Sequence, residues 1–191
     1  MNSKTLIHYM RLILKSLFEF IPIFIFLSVF EITKNFYTST FILIITTISF
    51  TFYTFHKEKR LPYIALFICL ETTFFGSLTL ILKDPVYVQL RDTFYDIGLG
   101  ATILVTGIMR VPIIKKFFGH IFDLDIQTWI HLSYYWATFL ITFGITNEYM
   151  RRNFSADIWV RYKFVVMLVT VTFGLSLLWK YRKSVKSLDI L

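Results

Sequence analysis

The chain is 191 residues long, 56% hydrophobic and 19% aromatic, with four prolines and a net charge of +8. Its charges stand in short clusters between apolar runs of about twenty residues, the length a helix needs to cross ~30 Å of hydrocarbon. This excludes an ordinary soluble domain, and because the basic residues flank apolar runs instead of forming one face, it also argues against nucleic acid as a partner.

The expected fold is all-α: a polytopic membrane protein with about six transmembrane helices and one or two interfacial amphipathic helices, in a single integral membrane domain over 1–191. At the N-terminus, Lys4, His8, Arg11, Lys15 and Glu19 fall on one stripe of a helical wheel, while Leu6, Ile7, Met10, Leu14, Leu17 and Phe18 fill other faces. Residues 1–16 therefore predict an in-plane helix that turns into the membrane near Pro22. No small-x-small cleavage site follows and the next run contains Glu19 and Glu31, so the segment reads as retained. Spans 1–4 occupy 17–110, as runs over 17–33, 36–55, 61–82 and 93–110.

The third run carries Cys69, read as a small apolar residue with no disulfide partner, and Glu71. A bare carboxylate at that depth costs several kcal/mol, so Glu71 must be protonated, paired or wetted. It reads either as a proton or cation site or as a neutral acid bonded between helices. Asp92 and Asp96, one turn apart at the mouth of the fourth run, share a helical face, with Arg91 and Lys83 near enough to neutralise them. Gly98, Thr102 and Thr106 recur every four residues and predict a small-residue face for close helix packing, also suited to self-association.

Residues 111–128 read as a cytoplasmic amphipathic segment. In PIIKKFFGHIFDLDIQ, 112–127, Ile113, Ile114, Phe117, Phe118, Ile121 and Phe122 take one half of the wheel and Lys115, Lys116, Gly119, His120 and Asp123 the other. The pattern predicts a helix on the lipid surface, with packing on another subunit as the alternative that shows the same face. Spans 5 and 6 follow within 129–179, as 129–147 and 158–179, and 180–191 is a basic cytoplasmic tail. With six spans, thirteen of the twenty Lys and Arg residues fall on one side and seven on the other, which predicts cytoplasmic termini.

Between the last two spans, NEYMRRNFSADIWVRYK (147–163) is densely charged on the side where positive charge is disfavoured. Ser155 as a helix cap, an Asp157–Arg161 pair, Trp159 and Tyr162 as interface anchors and a snorkelling Lys163 account for most of it. Arg151 and Arg152 are left over. They suggest an anion site in which Arg151, Arg152, Arg161 and Lys163 surround a lipid phosphate or an acidic partner segment. The histidines His8, His56, His120 and His131 are scattered, and no zinc, nucleophile-elbow, P-loop or dinucleotide pattern is present, so neither a metal nor a cofactor is expected.

Three stretches resemble the intracellular septation protein A family of bacterial inner-membrane proteins: EFIPIFIFLSVFE, FGSLTLILKDPVYVQLRDTFY (75–95) and WIHLSYYWATFLITFGITNEYMRRNFSADIWVRYK (129–163). Best matched are Glu19, Phe20, Pro22, Gly76, Leu78, Thr79, Leu80, Asn147, Asn153, Trp159 and Lys163. The chain departs from the family at Arg91-Asp92-Thr93, where Lys-Pro-Thr is frequent, at Tyr135-Trp136, where Arg-Trp is frequent, and at Glu71, where an apolar residue is usual. The resemblance implies a non-enzymatic, multi-pass inner-membrane protein that supports envelope biogenesis, envelope integrity and septation, with links to elongation and division proteins. The resulting expectation is a scaffold or lipid-binding component, with Arg151, Arg152, Arg161, Lys163, Asn147 and Trp159 as candidate contacts to lipid, anionic lipid included, or to a partner. The alternative is a proton-coupled transporter or lipid flippase using intramembrane polar residues, Glu71 and Asp96, with Glu19 as a third candidate. A lipid-modifying enzyme lacks a nucleophile–base pair and ranks last.

Overall fold

A computed structural model describes residues 20–58, 63–119 and 122–181. The expected in-plane N-terminal helix, Glu19 and the tail beyond Tyr181 lie outside these residues. Within them the chain forms seven helices and no strand: α1 (Ile21–Thr33), α2 (Phe36–Glu58), α3 (Tyr63–Leu82), α4 (Val86–Ile108), α5 (Ile114–Phe118), α6 (Ile126–Asn153) and α7 (Ala156–Lys180). The all-α expectation holds. Three segments are long and apolar enough to cross a membrane on length and composition: Phe36–Lys57 in α2, Ala65–Leu82 in α3 and Ala156–Leu177 in α7. α4, with 23 residues, and α6, with 28, are longer still but more polar, while α1 has 13 described residues.

Short polar side chains fix the helix starts. Asn35 Oδ1 accepts the backbone N–H groups of Tyr37 and Thr38 at the head of α2, and Asp125 accepts those of Thr128 at the head of α6. Asp84 accepts the Val86 N–H at the head of α4, beside Pro85. The reversals after α1, α3 and α4 place Lys34, Lys83 and Arg110 in the left-handed region, with φ of 50°, 52° and 58°. Glycine usually takes that position, and a basic residue there adds a cation at the negative end of a helix dipole.

The chain divides into two compact units. One draws on Lys15–Asp92 and Asn147–Met167. Its core joins Phe26, Phe30, Phe36, Val88, Trp159 and Val160, with the Phe36 ring 5.9 Å from that of Phe26 and 6.1 Å from that of Trp159. α2 and α3 approach closely at Gly76, where an added Cβ would sit 2.9 Å from Ile44 Cδ1. The buried hydroxyls of Thr40, Thr47 and Thr51 each donate to the carbonyl four residues earlier, so polar residues are buried without an unmet donor.

The other unit draws chiefly on Thr93–Thr146 and Leu168–Leu191. Here α4 meets α6 through glycines: an added Cβ would lie 2.8 Å from Ile141 Cγ1 at Gly100, and 2.5 Å from Ile97 Cγ1 at Gly144. The small-residue face expected at Gly98, Thr102 and Thr106 is not the one used. A Cβ on Gly98 would meet nothing within 4 Å, and the hydroxyls of Thr102 and Thr106 turn back onto their own helix. The aromatic rings of Phe139 and Phe173 stack at 4.1 Å between α6 and α7.

The amphipathic segment also differs from a continuous helix over 112–127. α5 is five residues long, Gly119 follows it, and Asp125 starts α6 afresh. Ile114 and Phe122 from the apolar face are buried against Trp129 and Leu132 of the same chain, so the protein itself takes up much of the surface that could have faced lipid. Lys115 and Lys116 stay exposed, as the pattern predicted, and His120 and Ile121 lie outside the described residues.

Candidate functional site

The polar residues of the first unit converge where α3, α4, α6 and α7 meet. Lys163 had been expected to snorkel outward. Its side chain is instead 7% exposed and its ammonium lies 2.7 Å from Asp92 Oδ2, the other oxygen of which accepts Arg91 Nε at 2.8 Å and Nη2 at 2.5 Å. Arg91 Nη1 donates to Thr72 Oγ1 at 2.9 Å, and Thr72 is fully buried in α3. The Trp159 and Tyr162 rings flank the ammonium, with centroids 5.2 and 5.6 Å away. One carboxylate thus serves two cations. Asp96 belongs to the other unit, beside Gly144. Glu71, next to Thr72 on α3, is partly exposed and within electrostatic reach of Arg91 and Asp92.

A second set of bonds fixes the ends of α6 and α7. Asn147, fully buried, donates from Nδ2 to Gln89 O at 2.9 Å and accepts the Trp159 indole N–H at 2.9 Å. Thr79 Oγ1 accepts the Val88 N–H, which ties α3 to the same turn of α4. Among the residues expected to bind lipid or a partner, Asn147, Trp159 and Lys163 are therefore interior.

Arg151 and Arg152 share Glu148. Arg151 donates from Nε and Nη2 at 2.9 and 2.6 Å, and Arg152 from Nε at 2.5 Å. These bonds hold the Glu148 carboxyl down at about 2. Arg151 is largely enclosed, Arg152 is 68% exposed, and Arg161 is exposed on α7. Of the four cations of the expected anion site, Lys163 contacts Asp92 and the two arginines of α6 are partly neutralised by Glu148. Sequence reasoning anticipated Arg91 as a neutraliser of Asp92 but missed Thr72, Gln89 and the reach of Lys163 to the same carboxylate. The available signal was the depth of two opposite charges, at the mouths of two spans.

Long apolar helices and no strand among the described residues define an all-α, polytopic membrane protein. A family model described as intracellular septation protein A matches residues 14–185. Curated relatives include the inner membrane-spanning protein YciB of Hydrogenovibrio crunogenus, 30% identical over 162 residues, covering 84% of this chain and 75% of the relative. That of Rickettsia felis is 30% identical over 165 residues, covering 86% and 91%, and that of Shewanella woodyi 27% identical over 150, covering 78% and 82%. No solved structure matches. The chain belongs to the intracellular septation protein A family.

Proposed function

We propose that the protein works by binding, as a non-enzymatic scaffold or lipid-binding component of envelope synthesis and septation, through the surface around the α6–α7 turn. The observation that carries this reading is the contrast between the two sides of that turn. Tyr149, Phe154 and Ile158 are 58%, 41% and 45% exposed beside Arg152, while the residues beneath them, Asn147, Trp159 and Val160, are buried and hydrogen-bonded or packed. A rigid base that presents aromatic rings and a cation suits an interfacial contact with an anionic lipid or an acidic segment of an envelope-synthesis or division protein. A photoreactive residue in place of Tyr149, activated in intact cells, should yield a protein or lipid adduct that weakens when Arg151 and Arg152 are both changed to Gln. Absence of any adduct would overturn the reading.

A proton-coupled transporter or flippase is the second reading, favoured by one observation: Glu71 sits within a membrane-length helix in electrostatic reach of the partly buried Arg91. Glu71→Gln keeps size and hydrogen bonding but removes ionisation, so complementation of a deletion strain should fail on this reading and survive on the first.

A further inference from the structure

We infer that Arg91 and Lys163, held in place by Asp92, form a second and largely enclosed site that takes a single phosphate oxyanion, with Glu71 as its internal competitor. The donor count leads there. A guanidinium has five N–H groups, and Arg91 directs two at Asp92 Oδ1 and one at Thr72 Oγ1, which leaves one on each terminal nitrogen without an acceptor among the described residues. The Lys163 ammonium has three, of which the Asp92 contact uses one. Asp92 has three of its roughly four acceptor positions filled, two on Oδ1 and one on Oδ2.

The charge count agrees with the donor count. Two cations against one carboxylate leave a single positive charge among side chains only 14%, 13% and 7% exposed for Arg91, Asp92 and Lys163. A net charge so enclosed is costly in a membrane protein and draws a counter-ion. Glu71 is near enough to act on Arg91 electrostatically, but no hydrogen bond joins them. It therefore balances charge at a distance without occupying the spare donors. Those donors, on a planar guanidinium and an ammonium, are the set that recognises phosphate. A phosphate entering the site would compete with the Glu71 carboxylate. Neutralising Glu71 should consequently strengthen binding.

This site is separate from the exposed surface proposed above, and its failure would leave the Tyr149 crosslink untouched. The test uses the full chain in detergent and in nanodiscs. Inorganic phosphate is titrated while tryptophan emission is followed, since the Lys163 cation lies over the Trp159 ring. In parallel, native mass spectrometry counts phosphatidylglycerol retained from nanodiscs of phosphatidylglycerol in phosphatidylcholine. Wild type should bind one phosphate or retain one phosphatidylglycerol, Arg91→Gln should weaken this at least about tenfold, and Glu71→Gln should tighten it about tenfold, equivalent to about 1.4 kcal/mol. Retention of phosphatidylglycerol alone assigns a lipid headgroup, and a response to inorganic phosphate assigns a site open to free anion. The inference is overturned if wild type binds neither, or if Glu71→Gln binds no more tightly than wild type. The second criterion stands even if Arg91→Gln does not fold.

Discussion

The indole N–H of Trp159 donates to Asn147 Oδ1 at 2.9 Å across the turn between α6 and α7, while the amide of the same Asn147 donates to the Gln89 carbonyl of α4. One asparagine thus fixes three helices. Trp159→Phe keeps most of the packing but removes the indole donor to the buried Asn147 Oδ1, and should cost about 1–3 kcal/mol. Trp159→Ala also removes the contact with Phe36 and should cost about 3–5 kcal/mol. Thermal unfolding in detergent checks the order, and membrane abundance should follow it.

The Arg91–Asp92–Lys163 arrangement predicts an asymmetry. Lys163→Met leaves Arg91 paired with Asp92, whereas Asp92→Asn strands two enclosed cations, so the second change should be the more damaging. About 3–5 kcal/mol is expected for Asp92→Asn and clearly less for Lys163→Met, read from denaturant midpoints. Equal losses would contradict the shared-carboxylate geometry.

Glu148 sets a pH dependence. Its carboxyl is lowered from an ordinary 4.5 to about 2 by Arg151 and Arg152, so the folded state holds the charged form more strongly than the unfolded chain does. The resulting stability is fully present above about pH 4.5 and fades as pH falls from 4.5 towards 2. In Glu148→Gln, melting temperature between pH 2 and 5 should vary less than in wild type.

Gly144 of α6 and Gly98 of α4 differ in what surrounds them, and alanine separates them. Gly144→Ala places a Cβ 2.5 Å from Ile97 Cγ1 and 3.1 Å from its backbone nitrogen, forcing α4 and α6 apart at a cost of about 1–3 kcal/mol. Gly98→Ala meets nothing within 4 Å and should be neutral, or gain up to about 1 kcal/mol from helix propensity. Unfolding midpoints of the two variants should move in opposite directions or leave Gly98→Ala unmoved.

The proposed orientation predicts that a reporter fused after Leu191 is active only in a cytoplasmic form and one inserted at Asn153 only in an external form. An external signal from the Leu191 fusion would invert the model.

Hydropathy placed α2 and α3 within a few residues, because runs at 36–55 and 61–82 carry few charges except Glu71. It placed the start of α4 at 93, whereas the helix begins at Val86. Gln89, Arg91 and Asp92 fell outside the apolar run because a linear scan scores a charge as if it faced water, and only folding brings Lys163 to Asp92. Asn147, Trp159 and Lys163 were legible as important through resemblance, but their burial was not, since a tryptophan and a lysine at a span end fit an interfacial belt equally well. Gly98, Thr102 and Thr106 are a related case: small residues permit close approach without specifying the partner, and between α4 and α6 it occurs at Gly100 and Gly144.

Pairing of the basic residues also bears on how the molecule responds to voltage. Lys34 pairs with Glu31, Arg91 and Lys163 with Asp92, and Arg151 and Arg152 with Glu148, so five cations stand against three carboxylates. In the proposed orientation all five lie at the outer end, where a negative interior draws a lone cation inward with up to about 2.3 kcal/mol per 100 mV for a full crossing. A carboxylate fixed beside the cation feels the opposite force, and the pair transmits only the difference to the helices. Among these paired groups two net charges, not five, couple to the membrane potential, so a surge or collapse of that potential exerts little leverage through them.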